Sequence, residues 1–190
     1  MTTTILACFL IAAFLAIEGW LRRGRPAKSL DAGETDRASP RDLDIAYSLG
    51  FVSLLLAPVL NYFAAGQITL PLAGWVGLAV ALSGLALLAW VRQALSEFHE
   101  RILQVAENQT IPQRGPYHFI RHPGYLGSIL MWVGAGLATT NWIIGLVLLV
   151  TMFLVYHYRI QAEEAMLIDR LGEVYIQYKT RTWRLIPLVY

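Results

Sequence analysis

Charged residues are scarce in this chain. Asp, Glu, Lys and Arg make up 15% of its 190 residues, against roughly 25% in a typical soluble protein. A small water-soluble domain has a large surface for its volume and cannot cover that surface with so few charges. The shortage excludes a basic nucleic-acid-binding module and a disordered tail, since both depend on abundant charge. The net charge of +2 by itself indicates no partner.

Cysteine and histidine are also rare. The single cysteine, Cys8, excludes an intrachain disulfide and a zinc site built on several thiolates, and its apolar surroundings argue against a nucleophilic role. A histidine-rich di-iron site would need more than the four histidines present, which are His99, His118, His122 and His157. His118 and His122 are four residues apart. Pro123 predicts a turn before His122, so the two side chains would not share a helix face. We therefore expect no metal site.

Long apolar runs dominate the chain instead. Hydrophobic residues make up 56%, the mean hydropathy is +0.51, and five stretches are nearly free of charge: residues 4–20, 45–65, 68–91, 125–138 and 142–158. About 20 apolar residues cross a bilayer core of ~30 Å, a length that the second and third stretches reach and the others approach with polar or aromatic flanks. A soluble bundle would need charged outer faces, which residues 68–91 do not provide. We predict an all-α integral membrane protein with five transmembrane helices.

The first apolar stretch is predicted to be a helix of the mature protein. No basic residue precedes it, and Arg22, Arg23 and Arg25 follow it where a secretory signal would have small residues at a cleavage site. This pattern is typical of a stop-transfer segment.

The distribution of basic residues predicts the orientation. All 15 Lys and Arg lie after the first, third and fifth stretches, and none lies in residues 64–69 or 139–141. Basic loops remain in the cytoplasm, so we expect the N-terminus outside, and the C-terminus and the active site on the cytoplasmic side. The amphipathic pattern after residue 158 predicts a C-terminal cytoplasmic helix.

We divide the chain into two regions on this basis. Residues 1–92 form an N-terminal region of three membrane helices, with a cytoplasmic loop over residues 22–44 that reads as a solvated linker. Residues 93–190 form the catalytic region, which contains a cofactor loop, a two-helix hairpin and the C-terminal helix.

Two segments carry the candidate chemistry. Pro123 is predicted to open the fourth helix, which leaves Arg121 and His122 at a helix start, where exposed N–H groups favour an anion. Arg159 and Glu163 are four residues apart and share a helix face. They could form an ordinary surface ion pair. Because they continue directly from a membrane helix, where ionisable groups usually mark a site, we favour a functional role.

These segments resemble a known family. The run GPYHFIRHPGYLG at 115–127, the run RIQAEE at 159–164 and the run LGEVYIQY at 171–178 are similar to motifs of the isoprenylcysteine carboxyl methyltransferases. These are integral membrane enzymes that use S-adenosylmethionine. The resemblance covers residues 104–187 and implies a cytoplasmic cofactor site closed by the C-terminal helices, with a lipid-like substrate entering from the bilayer.

The resemblance also implies the roles of individual residues. Glu163 would receive the ammonium group of the cofactor, and His122 to Tyr125 would hold its amino-acid end. Arg159 would bind the substrate carboxylate and act as the catalytic residue. The full set of implied cofactor contacts is Gln104, Gln109, Thr110, Ile111, Pro112, Tyr117, His122, Pro123, Gly124, Tyr125 and Glu163.

The chemistry of methyl transfer agrees with these residues. A carboxylate attacks a sulfonium methyl group without a general base, so the enzyme supplies proximity and a dry site, and an arginine can hold the carboxylate. We predict methyl transfer from S-adenosylmethionine to the carboxylate of a prenylcysteine or a similar amphiphile, with the bilayer as partner and no nucleic acid. A phospholipid N-methyltransferase, an NADPH-dependent reductase of sterols or related lipids, and a non-enzymatic membrane scaffold stay open as alternatives.

Overall fold

The fold is helical throughout the part of the chain that the structure covers. A computed structural model describes residues 1–23, 40–102, 111 and 113–189. Within these ranges it contains two isolated bridges and no strand, which confirms the all-α prediction. The helices are α1 Thr2–Arg23, α2 Pro40–Tyr62, α3 Pro71–Ile102, the short 3-10 helix η1 Gly115–His118, α4 Pro123–Ala138, α5 Trp142–Leu171 and α6 Glu173–Arg181.

Four of these helices are long and apolar enough to cross a membrane. The candidate spans are Thr2–Trp20, Asp42–Tyr62, Leu72–Leu95 and Trp142–Leu171, and they correspond to the first, second, third and fifth predicted spans. Their outer faces expose many large apolar side chains, as expected for surfaces that contact lipid. The fourth predicted span corresponds to α4, whose 16 residues extend about 24 Å. The fifth crossing and the orientation stay predictions.

Two helices run beyond their apolar stretches. α3 continues to Ile102 and α5 to Leu171, because the hydrogen bonds within a helix do not require apolar side chains. The predicted regional boundary at residue 92 therefore lies inside α3. The predicted loop over residues 22–44 is shortened at both ends, since α1 ends at Arg23 and α2 begins at Pro40; residues 24–39 lie outside the described ranges.

Glycines bring α3 and α4 into close antiparallel contact. A Cβ atom at Gly84 would lie 2.5 Å from the carbonyl oxygen of Gly127, and one at Gly134 would collide with the backbone of Ala81. Small residues of this kind let membrane helices approach closely. The first turn of α4 consequently lies beside the C-terminal half of α3, where a Cβ atom at Gly124 would be 3.7 Å from Val91.

Polar contacts distinguish the two ends of the bundle. At one end, Asn141 donates a 2.8 Å hydrogen bond to the side chain of Asn61 and forms a bridge with Gln67, so the α2–α3 and α4–α5 connections meet. At the other end, Glu18 of α1 forms an ion pair with Arg92 of α3. The basic start of α4 and the charged part of α5 lie at this second end, which we call the charged end.

Buried aromatic rings lead from the core towards the charged end. The hydroxyls of Tyr47 and Tyr156 are 2.6 Å apart, and the ring of Tyr47 packs 5.3 Å from that of Trp132. On its other side, Tyr156 stacks on Tyr125 with ring centroids 4.9 Å apart. This row fixes the orientation of Tyr125, whose hydroxyl belongs to the candidate site.

Candidate active site at the charged end

α5 carries three charged residues of the site on one unbroken helix. The buried face of α5 passes through Tyr156, Ile160 and Glu164, which follow one another at intervals of four residues. Arg159 directly precedes Ile160, and Glu163 directly precedes Glu164, so Arg159 and Glu163 lie on the adjacent face of the helix. Two neighbouring glutamates therefore point towards different surroundings.

The first arrangement, the Glu163 cluster, consists of Glu163, Tyr125, Arg159 and His122. The hydroxyl of Tyr125 donates a 2.6 Å hydrogen bond to Oε2 of Glu163 and accepts a 3.0 Å hydrogen bond from Nε of Arg159. The His122 ring lies parallel to the Tyr125 ring, with centroids 5.5 Å apart, and its Nδ1 is 3.8 Å from Oε2 of Glu163. The structure thus brings together four of the residues that the sequence selects, from two helices.

Pro123 and Gly124 contribute through the backbone. Pro123 opens α4 and His122 is its N-cap residue, as the sequence predicts. The first turn of α4 therefore holds His122 and Tyr125 three residues apart, with both rings towards Glu163.

Tyr117 lies in η1 and contacts the C-terminal helix α6. The carbonyl of Tyr117 in η1 accepts a 2.7 Å hydrogen bond from the Tyr178 hydroxyl of α6. Burial is the larger and the negative charge of Glu163 the smaller of two effects that raise the pKa of Tyr117 to about 12. Tyr117 therefore lies within electrostatic reach of Glu163. Ile111 is half-buried and lies outside any helix. The remaining candidates are outside the described residues: Gln104, Gln109, Thr110 and Pro112.

The second arrangement, the Glu164 cluster, was not predicted from the sequence. It places four basic side chains around the buried Glu164 carboxylate. Arg121 donates from Nε at 3.0 Å, Arg184 from Nη2 at 2.8 Å, and Lys179 and His122 each lie 3.4 Å away. Glu164 thus contacts the side chains of the two residues that precede α4, Arg121 and His122. A double glutamate near the end of a membrane helix, with a basic tail after it, is the signal from which this could have been inferred.

The Glu164 cluster also fastens the C-terminal segment over the site. Nη1 of Arg121 donates to the carbonyl of Lys179 at 3.0 Å and to that of Thr182, where the exposed carbonyls at the end of α6 favour a cation. The backbone N–H of His122 donates to the carbonyl of Arg184 at 3.2 Å. His122 is therefore held on its backbone by the C-terminal segment and on its ring by both glutamates.

The geometry of the Glu163 cluster suits a cationic ligand. Within the described ranges, no group of three His, Cys, Asp or Glu side chains is placed to hold a metal. Glu163 offers a carboxylate with a side-chain exposure of 37%, next to the hydroxyl of Tyr125. A partly exposed carboxylate can hold an ammonium group through charge-assisted hydrogen bonds.

Comparison with known proteins agrees with this chemistry. Residues 72–173 match a family described as phospholipid methyltransferase, which is more than half of the chain. Protein-S-isoprenylcysteine O-methyltransferase of Mus musculus is 31% identical over 84 residues, covering 44% of this chain and 30% of that protein. The corresponding protein of Schizosaccharomyces pombe is 31% identical over 75 residues, covering 40% and 32%. The matched region thus spans about 30% of the length of these relatives.

Proposed function

Because the chain belongs to the phospholipid methyltransferase family, we propose that it transfers a methyl group from S-adenosylmethionine to the carboxylate of a lipid-like amphiphile at the membrane. The observation that carries this proposal is the hydroxyl of Tyr125, which joins Arg159 and Glu163 at distances of 3.0 and 2.6 Å. In the proposed reaction, Arg159 is the cation that binds the acceptor carboxylate and Glu163 the carboxylate that binds the donor, and the two side chains lie side by side at the end of the helix bundle.

The Glu163 cluster fits the charged groups of the methyl donor. The Glu163 carboxylate would hold the ammonium group, with the ring of His122 and the hydroxyl of Tyr125 beside it. When bound, S-adenosylmethionine supplies an electrophilic methyl group on sulfur. A carboxylate attacks it directly, so a carbon–oxygen bond forms as the carbon–sulfur bond breaks, and no proton is transferred.

Arg159 would hold the acceptor. One nitrogen of its guanidinium, Nε, is engaged with Tyr125, and this hydrogen bond orients the planar group. A guanidinium recognises a carboxylate through paired charge-assisted hydrogen bonds. The names of the relatives, protein-S-isoprenylcysteine O-methyltransferases, support a prenylated cysteine carboxylate as the acceptor. The membrane helices support a substrate that arrives from the bilayer.

Calorimetric titration of the purified chain in detergent tests the cofactor. We expect binding of S-adenosylmethionine and none of NADPH. Glu163→Ala should weaken binding by about 1–3 kcal/mol, because an ammonium group loses its charged partner. Asp169→Ala, which removes an exposed carboxylate from the same helix, is the matched control and should bind normally. Binding of NADPH alone would favour the reductase alternative and contradict the proposal.

Phospholipid N-methylation is the second candidate, because the family description names phospholipids. The two reactions yield products of different stability: a methyl ester releases methanol in alkali, whereas an N-methyl group does not. Incubation with labelled S-adenosylmethionine and either a prenylcysteine analogue or phosphatidylethanolamine vesicles separates them. Alkali-labile label on the prenylcysteine analogue is the expected result. Alkali-stable label on the phospholipid alone would show that the acceptor is an amine.

A further inference from the structure

The hydroxyl of Tyr175 in α6 is buried without a partner. Tyr175 is 2% exposed, and its Oη forms no hydrogen bond with any described residue. A buried hydroxyl left in this state lowers the stability of the fold, and such groups are rare in folded proteins. The neighbouring tyrosine of the same helix, Tyr178, has its hydroxyl bonded to the carbonyl of Tyr117. The two tyrosines of α6 therefore differ in that, among the described residues, only the Tyr178 hydroxyl has a hydrogen-bond acceptor.

Tyr175 lies on the face of α6 that is turned towards Glu164. It precedes Lys179 by one helical turn, so the two side chains share a face, and Nζ of Lys179 is 3.4 Å from Oε2 of Glu164. Burial raises the pKa of Tyr175, and the charges of Glu164 and Glu163 raise it further. The hydroxyl therefore stays protonated near both carboxylates, as a hydrogen-bond donor without an acceptor.

We infer that the Tyr175 hydroxyl donates a hydrogen bond to the carboxylate of an α-amino-acid group whose ammonium is held by Glu163. This inference rests on the proposed function and adds a binding residue for the amino-acid end of the methyl donor. In an α-amino acid the carboxylate and the ammonium are attached to the same carbon. A ligand that places its ammonium against Glu163 therefore brings an acceptor into the space that Glu163, Glu164 and Tyr175 surround.

A ligand carboxylate can supply the acceptor that the Tyr175 hydroxyl lacks. Neither Glu163 nor Glu164 accepts a hydrogen bond from Tyr175 in the structure, so the acceptor has to come from outside the described chain. Nη1 of Arg121 donates to the carbonyls of Lys179 and Thr182 at the end of α6, and its positive charge would stabilise a ligand carboxylate placed beside this helix. Tyr175 lies just beyond the family match, which ends at residue 173.

Tyr175→Phe tests the inference, because it removes the hydroxyl and keeps the ring. Without ligand, we expect the thermal stability to stay the same or rise, since an unsatisfied buried group is removed. The Kd for S-adenosylmethionine should rise about 10- to 100-fold, the loss expected for one hydrogen bond to a charged group. The Kd for 5′-methylthioadenosine, which lacks the amino-acid end, should not change.

Tyr178→Phe is the matched control in the same helix. It breaks the hydrogen bond to Tyr117, so we expect a lower thermal stability of the ligand-free protein. If Tyr175→Phe were destabilised in the same way, its hydroxyl would have a structural partner such as an ordered water, and the inference would be wrong. Equal losses for both ligands, or none for either, would also overturn it while leaving the proposed function intact. Failure of the wild-type chain to bind S-adenosylmethionine would overturn both.

Discussion

Glu163 and Glu164 are consecutive residues of α5 with different surroundings. The side chain of Glu163 is 37% exposed and that of Glu164 only 4%. Tyr125 donates to the first at 2.6 Å, whereas Arg121 and Arg184 donate to the second at 3.0 and 2.8 Å. Consecutive helical residues point about 100° apart, and this rotation separates a carboxylate that a ligand can reach from one that the protein uses itself.

Replacement of each glutamate by glutamine should therefore have opposite consequences. Glu164→Gln leaves several basic groups around a neutral amide in a buried position, and we expect a loss of about 3 kcal/mol or more in stability. Glu163→Gln should leave stability nearly unchanged and weaken binding of S-adenosylmethionine. Thermal unfolding and calorimetric titration check the pair, with Asp169→Asn as the exposed control on the same helix. Similar unfolding temperatures for both variants would contradict the assignment.

Arg159→Lys should separate acceptor binding from cofactor binding. Lysine keeps the charge but loses the planar group whose Nε donates to Tyr125. We expect a fall in turnover of about 10²-fold, because a small misplacement of the attacking oxygen suffices for that. Cofactor affinity should stay within about threefold. Arg170→Lys, an exposed arginine on the same helix, is the control. Full activity in Arg159→Lys would show that Arg159 does not position the acceptor.

Tyr125→Phe should uncouple Arg159 from Glu163. The hydroxyl of Tyr125 is bonded to both side chains, so its removal should cost about 1–3 kcal/mol in stability. In the Tyr125→Phe background, a further Arg159→Met change should cost less than it does in the wild-type chain, as expected for residues of one network. A double-mutant cycle on thermal unfolding measures this. Strictly additive losses would mean that Tyr125 and Arg159 do not interact. Tyr158→Phe, on an exposed ring, serves as the control.

Gly134→Ala should destabilise the contact between α3 and α4. The new Cβ atom would meet the backbone of Ala81, so the helices must move apart, at a cost of about 1–3 kcal/mol. Gly19→Ala in α1 has nothing within 4 Å of its new Cβ and should be neutral or stabilising by up to about 1 kcal/mol. Thermal unfolding of both variants in one detergent makes the comparison. Equal behaviour would mean that α3 and α4 do not pack closely at this point.

The orientation of the chain can be tested with fused reporters. A reporter after the last residue should be active in the cytoplasm, because all 15 basic residues lie on the predicted cytoplasmic side. A reporter inserted at Thr140, in the turn between α4 and α5, should be active only on the opposite side. Activity of both reporters on the same side of the membrane would contradict the predicted topology.

The sequence determined the helical class, four membrane-length helices and the start of α4 at Pro123. Apolar composition and the steric properties of proline act locally, so they can be read from neighbouring residues. The four-residue interval between Arg159 and Glu163 likewise follows from helix geometry alone. The motif resemblance added His122 and Tyr125, which the structure places beside Glu163.

Only the tertiary structure decided how the two glutamates differ. The local pattern pairs Glu163 with Arg159 but says nothing of the burial of Glu164, which depends on Arg121, Lys179 and Arg184, 15 to 43 positions away in the chain. Such contacts form because the C-terminal segment folds back over the start of α4. A carboxylate becomes buried only when enough cations from distant segments surround it, and no local sequence pattern specifies that convergence.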